Sequence, residues 1–254
     1  MQHKEADFLL IDISNSFTKM AFSKGSRLGR ITRIATRLLT ARSLGKAIGS
    51  RRFNSVVLSS VVPGSEKIVL KYLAKKRVLR VGPDLNLGVG IDYPHPRSIG
   101  ADRLANAASA VSVCGAPVIV VDFGTAVTFD IISRGGRYVG GVIAPGLEVM
   151  TDYLYQRTAL LPKIDLLEPL HAIGKSTRAA MLAGAVYGYR GLVKEILIEI
   201  KKEMGPPDPR VIATGGYAKL IAAKAPEIEE VHPNLTLEGL RIIGMLNSRP
   251  LEGV

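Results

Sequence analysis

Two short apolar runs in this chain end in an aspartate, and each aspartate is followed by a turn of small residues. Phe8-Leu9-Leu10-Ile11 closes on Asp12 and continues through Ile13, Ser14, Asn15, Ser16, Phe17, Thr18 and Lys19, while Val118-Ile119-Val120-Val121 closes on Asp122 and continues through Phe123, Gly124, Thr125 and Ala126 to Thr128. A carboxylate at a strand end can hold a cation or a metal-bound water. A turn of small residues lets backbone N–H groups and hydroxyls approach phosphate oxygens. The chemistry within reach is therefore the handling of a polyphosphate. An aspartate in this position also serves as a plain turn cap, so one copy discriminates little and the second copy carries the weight. The two lie 110 residues apart, far beyond a solenoid period, which reads as two related α/β halves with a boundary near residue 115. Neither a G-x-x-x-x-G-K-[ST] loop nor a G-x-G-x-x-G after a strand is present.

A third acid stands apart from these turns. Gly100-Ala101-Asp102-Arg103 opens an apolar-periodic segment that predicts a helix over Ser98 to Val113. Asp102 in its first turn suits the positive helix end, and Arg103 carries a fork-shaped cation matched to carboxylates. Thr177 reads as the N-cap of a helix from Arg178 onward. Around these residues the pattern predicts a hairpin from Phe8–Asp12 and Lys19–Phe22, helices at Ala41–Ile48 and Glu66–Lys75, and a buried strand at Val56–Leu58 closed by Pro63-Gly64. Helices follow at Ser176–Gly188, Leu192–Lys202 and Glu238–Met245, with a strand at Val211–Ala213 running into Thr214-Gly215-Gly216. Strands and helices alternate, which is an α/β pattern.

Composition narrows the class. The chain has 254 residues, 47% of them hydrophobic and 22% charged, which excludes a disordered chain, a collagen-like repeat and a disulfide-stapled miniprotein. Cys114 is the sole cysteine and His3, His95, His171 and His232 are dispersed, so no internal disulfide and no local zinc cluster form, and a reducing cytoplasm fits. The first apolar run is too short for a signal peptide. The uncharged stretch from Leu104 to Val121 is interrupted by Asn106, Ser109, Ser112 and Gly115-Ala116-Pro117, so no membrane association is expected. The formal charge is +12, and all of the excess lies in the first third: residues 1–80 hold 17 Lys/Arg against 4 Asp/Glu. Such a face can attract nucleic acid. From Lys24 to Phe53, however, the only aromatic is Phe53 itself, so a solvated basic surface is the plainer reading.

Taken together, Asp12 to Lys19, Ser59-Ser60-Val61-Val62-Pro63, Tyr93 to Arg103 with Asn106, Asp122 to Ala126, Gly140-Gly141 with Pro145-Gly146, Gly174 to Thr177, and Gly215-Gly216 resemble the type III pantothenate kinases, in order and over nearly the whole chain. The resemblance implies two ribonuclease-H-like halves of the actin, acetate kinase and heat-shock ATPase superfamily with a cleft between them, residues 1–115 and 116–254. It implies ATP-dependent phosphorylation of pantothenate to 4'-phosphopantothenate, the first step of coenzyme A biosynthesis. Carried over by position, Asp12, Ile13, Ser14, Asn15, Ser16, Phe17, Thr18 and Lys19 would form the ATP phosphate loop, with Thr125 a second phosphate contact. Asp122 would hold the monovalent cation, potassium or ammonium, that the family uses beside magnesium. Tyr93, Gly100, Ala101, Asp102 and Arg103 would line the pantothenate pocket, Asp102 taking the hydroxyl proton and Arg103 lying near the substrate carboxylate. Thr177 would reach pantothenate across a homodimer interface.

The competing class is a non-catalytic relative acting in transcriptional regulation or nucleic-acid binding through the basic first third. The presence together of Asp12, Asp102, Arg103, Asp122 and Thr125 favours the enzyme. One departure stands out: where the family reads Asp-x-Gly-Asn-Thr, this chain has Ser14 and Ser16. If position 14 needs a positive φ, a side chain there costs about 1 kcal/mol or more and would weaken ATP binding.

Overall fold

The computed structural model describes residues 6–248; His3 and the rest of the chain before Ala6 lie outside the described residues. The chain divides into two compact units. One comprises the residues up to Val113 together with the segment from Asn234 onward, and the other is Cys114–Pro233.

In the first unit, β1 (Ala6–Ile13), β2 (Phe17–Lys24), β3 (Arg27–Leu28), β4 (Thr32–Ala35), β5 (Phe53–Ser60) and β6 (Arg77–Arg80) are joined by α1 (Ala41–Ile48) and α2 (Pro63–Tyr72). The short β7 (Gly90–Ile91) and α3 (Ala101–Cys114) follow. The sheet order is β3-β2-β1-β5-β6, with β4 beside β2. β1 runs antiparallel to β2 and parallel to β5, which is parallel to β6. The second unit holds β8 (Val118–Phe123), β9 (Ala126–Ile132), β10 (Arg137–Pro145), α4 (Leu147–Arg157), α5 (Thr177–Met204), β11 (Arg210–Gly215), α6 (Ala218–Ala222) and β12 (Glu230–Val231). Its strands run β10-β9-β8-β11-β12, with the same pattern of antiparallel and parallel neighbours. The repeat visible at two aspartate turns therefore extends through whole sheets: β1 matches β8, β2 matches β9, and β5 matches β11.

The strand sequences explain these positions. Leu9, Leu10 and Ile11 of β1 and Val118 to Val121 of β8 are fully buried, as continuous apolar runs must be in central strands covered on both faces. β10 alternates exposed and partly buried residues instead, the pattern of a strand with one solvated face. Helix α1 begins where the sequence predicts, fixed by a reciprocal cap in which the Thr40 hydroxyl accepts from the Ser43 amide and Ser43 answers to the Thr40 amide.

Two expectations are corrected. The pair of helices predicted around Gly188 to Gly191 is one continuous helix, α5. Ala185, Val186, Tyr189, Val193, Leu197 and Ile200 form one buried stripe in the core of the unit, and that packing outweighs the ~1 kcal/mol that each helix glycine costs. The second correction concerns the end of the chain. The last helix, α7 (Leu235–Leu246), belongs with the first unit, whereas the sequence assigned everything after residue 115 to the second half. Gly244 of α7 lies against Phe8 and Val57, and Gly239 lies against the Ala105 carbonyl of α3. The apolar face of α7 thus covers β1 and β5.

Candidate functional site

In the first unit the polar residues gather where β1 and β5 end. Asp12 is almost fully buried at the end of β1, opposite Ser59 in the parallel register. Its carboxylate accepts from the Ser59 hydroxyl at 3.1 Å and from the Ser14 hydroxyl at 3.2 Å. The bend from Ser14 to Phe17 is closed by the Ser14 amide donating to the Phe17 carbonyl at 3.2 Å, and Asn15, Ser16 and Phe17 are exposed. Thr18 is buried and Lys19 half-buried as β2 departs. Ser14 carries no backbone strain, since no residue other than glycine has a positive φ among the described residues. The condition under which it would have weakened ATP binding is not met.

The Val61 amide donates to the Ile13 carbonyl at 3.1 Å, which ties the end of β5 to the aspartate bend. Val61 also adjoins Gly100, the residue before α3. A Cβ on Gly100 would meet the Asp102 carboxylate at 2.5 Å, so glycine there is what lets Asp102 turn back over the start of its helix. Asp102 accepts the Arg103 amide at 2.9 Å. Burial pushes its carboxyl pKa up from the ordinary value, against the pull of the Arg103 amide and guanidinium. Ala101 opens α3, and Tyr93 is exposed in the segment before it. Next to Tyr93 lies a groove of about 510 Å³ lined by Ile91, Pro94, His95 and Arg97. The structure thus brings Asp12, the bend after it and the Gly100–Arg103 helix start to one end of the first unit.

The second unit repeats the arrangement. Asp122 is half-buried near the end of β8 and is followed by the exposed Gly124-Thr125 turn, closed by the Gly124 amide on the Ala126 carbonyl at 3.1 Å. The Gly146 amide donates to the Thr125 carbonyl at 3.1 Å, which brings the end of β10 against the same turn. Gly215, with φ of 95°, ends β11 beside Asp122, and a side chain on it would strike the Asp122 carboxylate at 2.6 Å. Asp122, Thr125, Gly146 and Gly215 therefore share one end of the unit, lined by a carboxylate, a hydroxyl and bare backbone. A hollow of about 470 Å³ lies at the opposite end, around Pro117, Gly140 and Pro206, away from these residues.

Thr177 also lies in the second unit, exposed at the first position of α5. The cap of α5 is Ser176, whose hydroxyl accepts the Ala179 amide at 3.2 Å, and not Thr177 as the sequence predicted. The stretch leading to Thr177 is held by a cluster that sequence spacing does not reveal. Glu168 accepts both terminal nitrogens of the buried Arg190, at 3.1 and 2.6 Å, and Lys224 at 3.0 Å. Those cations hold the Glu168 carboxyl down at about 2. Arg190 also donates to the Leu220 and Ile221 carbonyls. Ser59 stands in the motif set but had no role assigned from sequence, because a serine becomes a partner of Asp12 only once β1 and β5 pair. Burial pushes the Cys114 thiol pKa upward.

The model of the family described as type III pantothenate kinase matches residues 8–199. The chain belongs to the type III pantothenate kinase family. It is similar to a type III pantothenate kinase of Akkermansia muciniphila, 50% identical over 94% of this chain and 99% of that one. A type III pantothenate kinase of Geobacter sulfurreducens is 42% identical over 92% of this chain and 97% of its own length. Among solved structures, MreB 5 of Spiroplasma citri bound to AMPPNP aligns with a TM-score of 0.52 at 14% identity, covering 92% of this chain and 95% of that one. That likeness concerns the fold alone, and it places this kinase-family chain among the actin-like and heat-shock ATPase folds.

Proposed function

We propose that this chain transfers the γ-phosphoryl group of ATP to the primary hydroxyl of pantothenate, giving 4'-phosphopantothenate and ADP in the first step of coenzyme A biosynthesis. The observation that carries the proposal is family membership from residue 8 to 199 with Asp102, Arg103 and both aspartate turns intact.

Phosphoryl transfer passes through a loose transition state, so the protein's work is positioning and charge stabilisation. In this reading the bend after Asp12 offers phosphate oxygens its amides and hydroxyls, and the Gly124-Thr125 turn offers the same groups within its own unit. Asp102 accepts the proton of the pantothenate hydroxyl as the new P–O bond forms, a role that needs a carboxylate within reach of that hydroxyl. Arg103 binds the pantothenate carboxylate, and Tyr93 and Gly100 shape the pocket around it. The carboxylate of Asp122, against which the Gly215 backbone packs too closely for a side chain, is a hard oxygen donor, the ligand type that a potassium or ammonium ion takes. Such an ion, together with the magnesium carried by ATP, supplies positive charge against the phosphates.

A homodimer belongs to the same reading. Leu160, Leu170 and Ile173, which precede Thr177, are 89%, 92% and 82% exposed. Val149, Met150, Tyr153 and Leu154 of α4 line an apolar hollow of about 550 Å³ with Met181. An apolar surface of this kind fits a second copy of the chain, through which Thr177 would reach a neighbouring pantothenate.

The rings nearest the basic segment are occupied by its own cations, Arg33 over Phe17 and Arg51 over Phe22, each at 4.4 Å. The test is ADP release with and without pantothenate, run beside retention on heparin at rising salt. Release that depends on pantothenate supports the kinase. Salt-resistant retention on heparin without such release would support the nucleic-acid reading.

A further inference from the structure

The bend between β1 and β2 is braced by a residue 22 positions beyond Ser14. Thr36 follows β4, is 5% exposed and opens a tight turn ending at Leu38. Its hydroxyl donates to the Ser14 carbonyl at 2.7 Å, and its amide donates to the Ser16 carbonyl at 3.0 Å. A hydroxyl has one proton. With the Thr36 proton committed to Ser14, the 3.2 Å contact between the Thr36 and Thr18 hydroxyls is one that Thr18 donates. Thr36 thus grips the bend at Ser14, Ser16 and Thr18. It reaches them because β4 pairs with the start of β2, setting Phe17 against Ala35 and Thr18 against Ile34.

We infer that Thr36 is a positioning residue for the nucleotide, a reading that rests on assigning residues 12–19 to the ATP phosphate loop. The carbonyls of Ser14, Ser16 and Phe17 all accept hydrogen bonds from within the protein, from the Thr36 hydroxyl, the Thr36 amide and the Ser14 amide. A carbonyl oxygen turned toward a polyanion repels it, whereas amide hydrogens attract it. By occupying the carbonyls of an exposed bend, Thr36 fixes which edge of the backbone a phosphate chain encounters. It touches no substrate in this scheme and acts through Ser14 and Ser16.

Three variants separate this role from plain stability, each scored by the Michaelis constants for ATP and pantothenate and by melting temperature. Thr36→Val keeps the shape and the backbone bond to Ser16 but loses the hydroxyl. It is expected to raise the Michaelis constant for ATP roughly five- to tenfold, the scale of one buried hydrogen bond, with that for pantothenate unchanged. Thr36→Ser keeps the hydroxyl and is expected to restore ATP affinity. Thr40→Val removes the α1 cap, away from the bend, and should lower the melting temperature without moving ATP affinity. Should the valine variant not fold, Thr36→Ala reads the same quantity. An unchanged Michaelis constant for ATP in Thr36→Val or Thr36→Ala, or an equal rise in Thr40→Val, overturns the inference. Failure of the unmodified protein to phosphorylate pantothenate would instead overturn the kinase reading beneath it.

Discussion

Burial raises the Asp102 carboxyl, while the Arg103 amide and guanidinium draw it back toward its usual value. A carboxyl whose pKa is higher folded than unfolded favours the folded state below the unfolded pKa and loses that favour as pH rises through the folded value. At neutral pH the charged Asp102 therefore costs stability. Asp102→Asn keeps the oxygen that accepts the Arg103 amide and removes the charge. Its melting temperature should exceed that of the unmodified protein at pH 7 to 8, with the gap closing as pH falls into the carboxylate range. A lower melting temperature at neutral pH would show that the charge is stabilising where it sits. Ser14 belongs to the same scale. Its hydroxyl donates to Asp12, and its backbone is unstrained. Ser14→Gly thus loses a hydrogen bond and adds chain freedom, costing ~0.5–1.5 kcal/mol. The Michaelis constant for ATP should rise about two- to twelvefold by the same bookkeeping; a fall would mean that serine had been holding the bend away from phosphate. Residue types alone could not decide this, because the expected penalty depends on φ, which the pairing of β1 with β2 determines.

The elements that carry these residues are held by close backbone approach. Helix α3 presents Asp102, and α7 packs so near it that a methyl group on Gly239 would run into the Ala105 carbonyl, one turn beyond Asp102. The buried Asn106 side chain accepts the Thr236 hydroxyl at 2.8 Å across the same interface. Gly239→Ala should force the helices apart and cost about 1–3 kcal/mol, the usual range for overpacking. Thermal unfolding measures the loss, and kcat should fall with it because α3 shifts. A melting temperature unchanged by the substitution would show that α7 yields without disturbing α3. Element identity was legible wherever local signals agreed, as in the helical spacing of α1 and in the unbroken apolar runs of β1 and β8. It was not legible where packing over long separations decided. The glycines of α5 read as a break until Tyr189 and Val193 are seen in one buried stripe, and the latch of Arg190 on Glu168 has no signature in spacing.

At the scale of the whole molecule the two sheets share one strand order, so the echo between Asp12 and Asp122 was the visible trace of a repeat that runs through both units. The motif order carried the family, which the match over residues 8–199 shows. The fate of the last helix could not be read this way. An amphipathic segment states that it has an apolar face but not which sheet it will cover, and α7 returns to the first unit. The account depends on one reaction performed by one carboxylate. The direct measurement is phosphorus NMR or mass detection of 4'-phosphopantothenate formed from ATP and pantothenate, with the unmodified protein and Asp102→Asn side by side. The account predicts product from the first and a kcat lower by roughly 10²-fold or more in the second, whose fold survives. Absence of product from the unmodified protein, or near-equal turnover in the two, would contradict it.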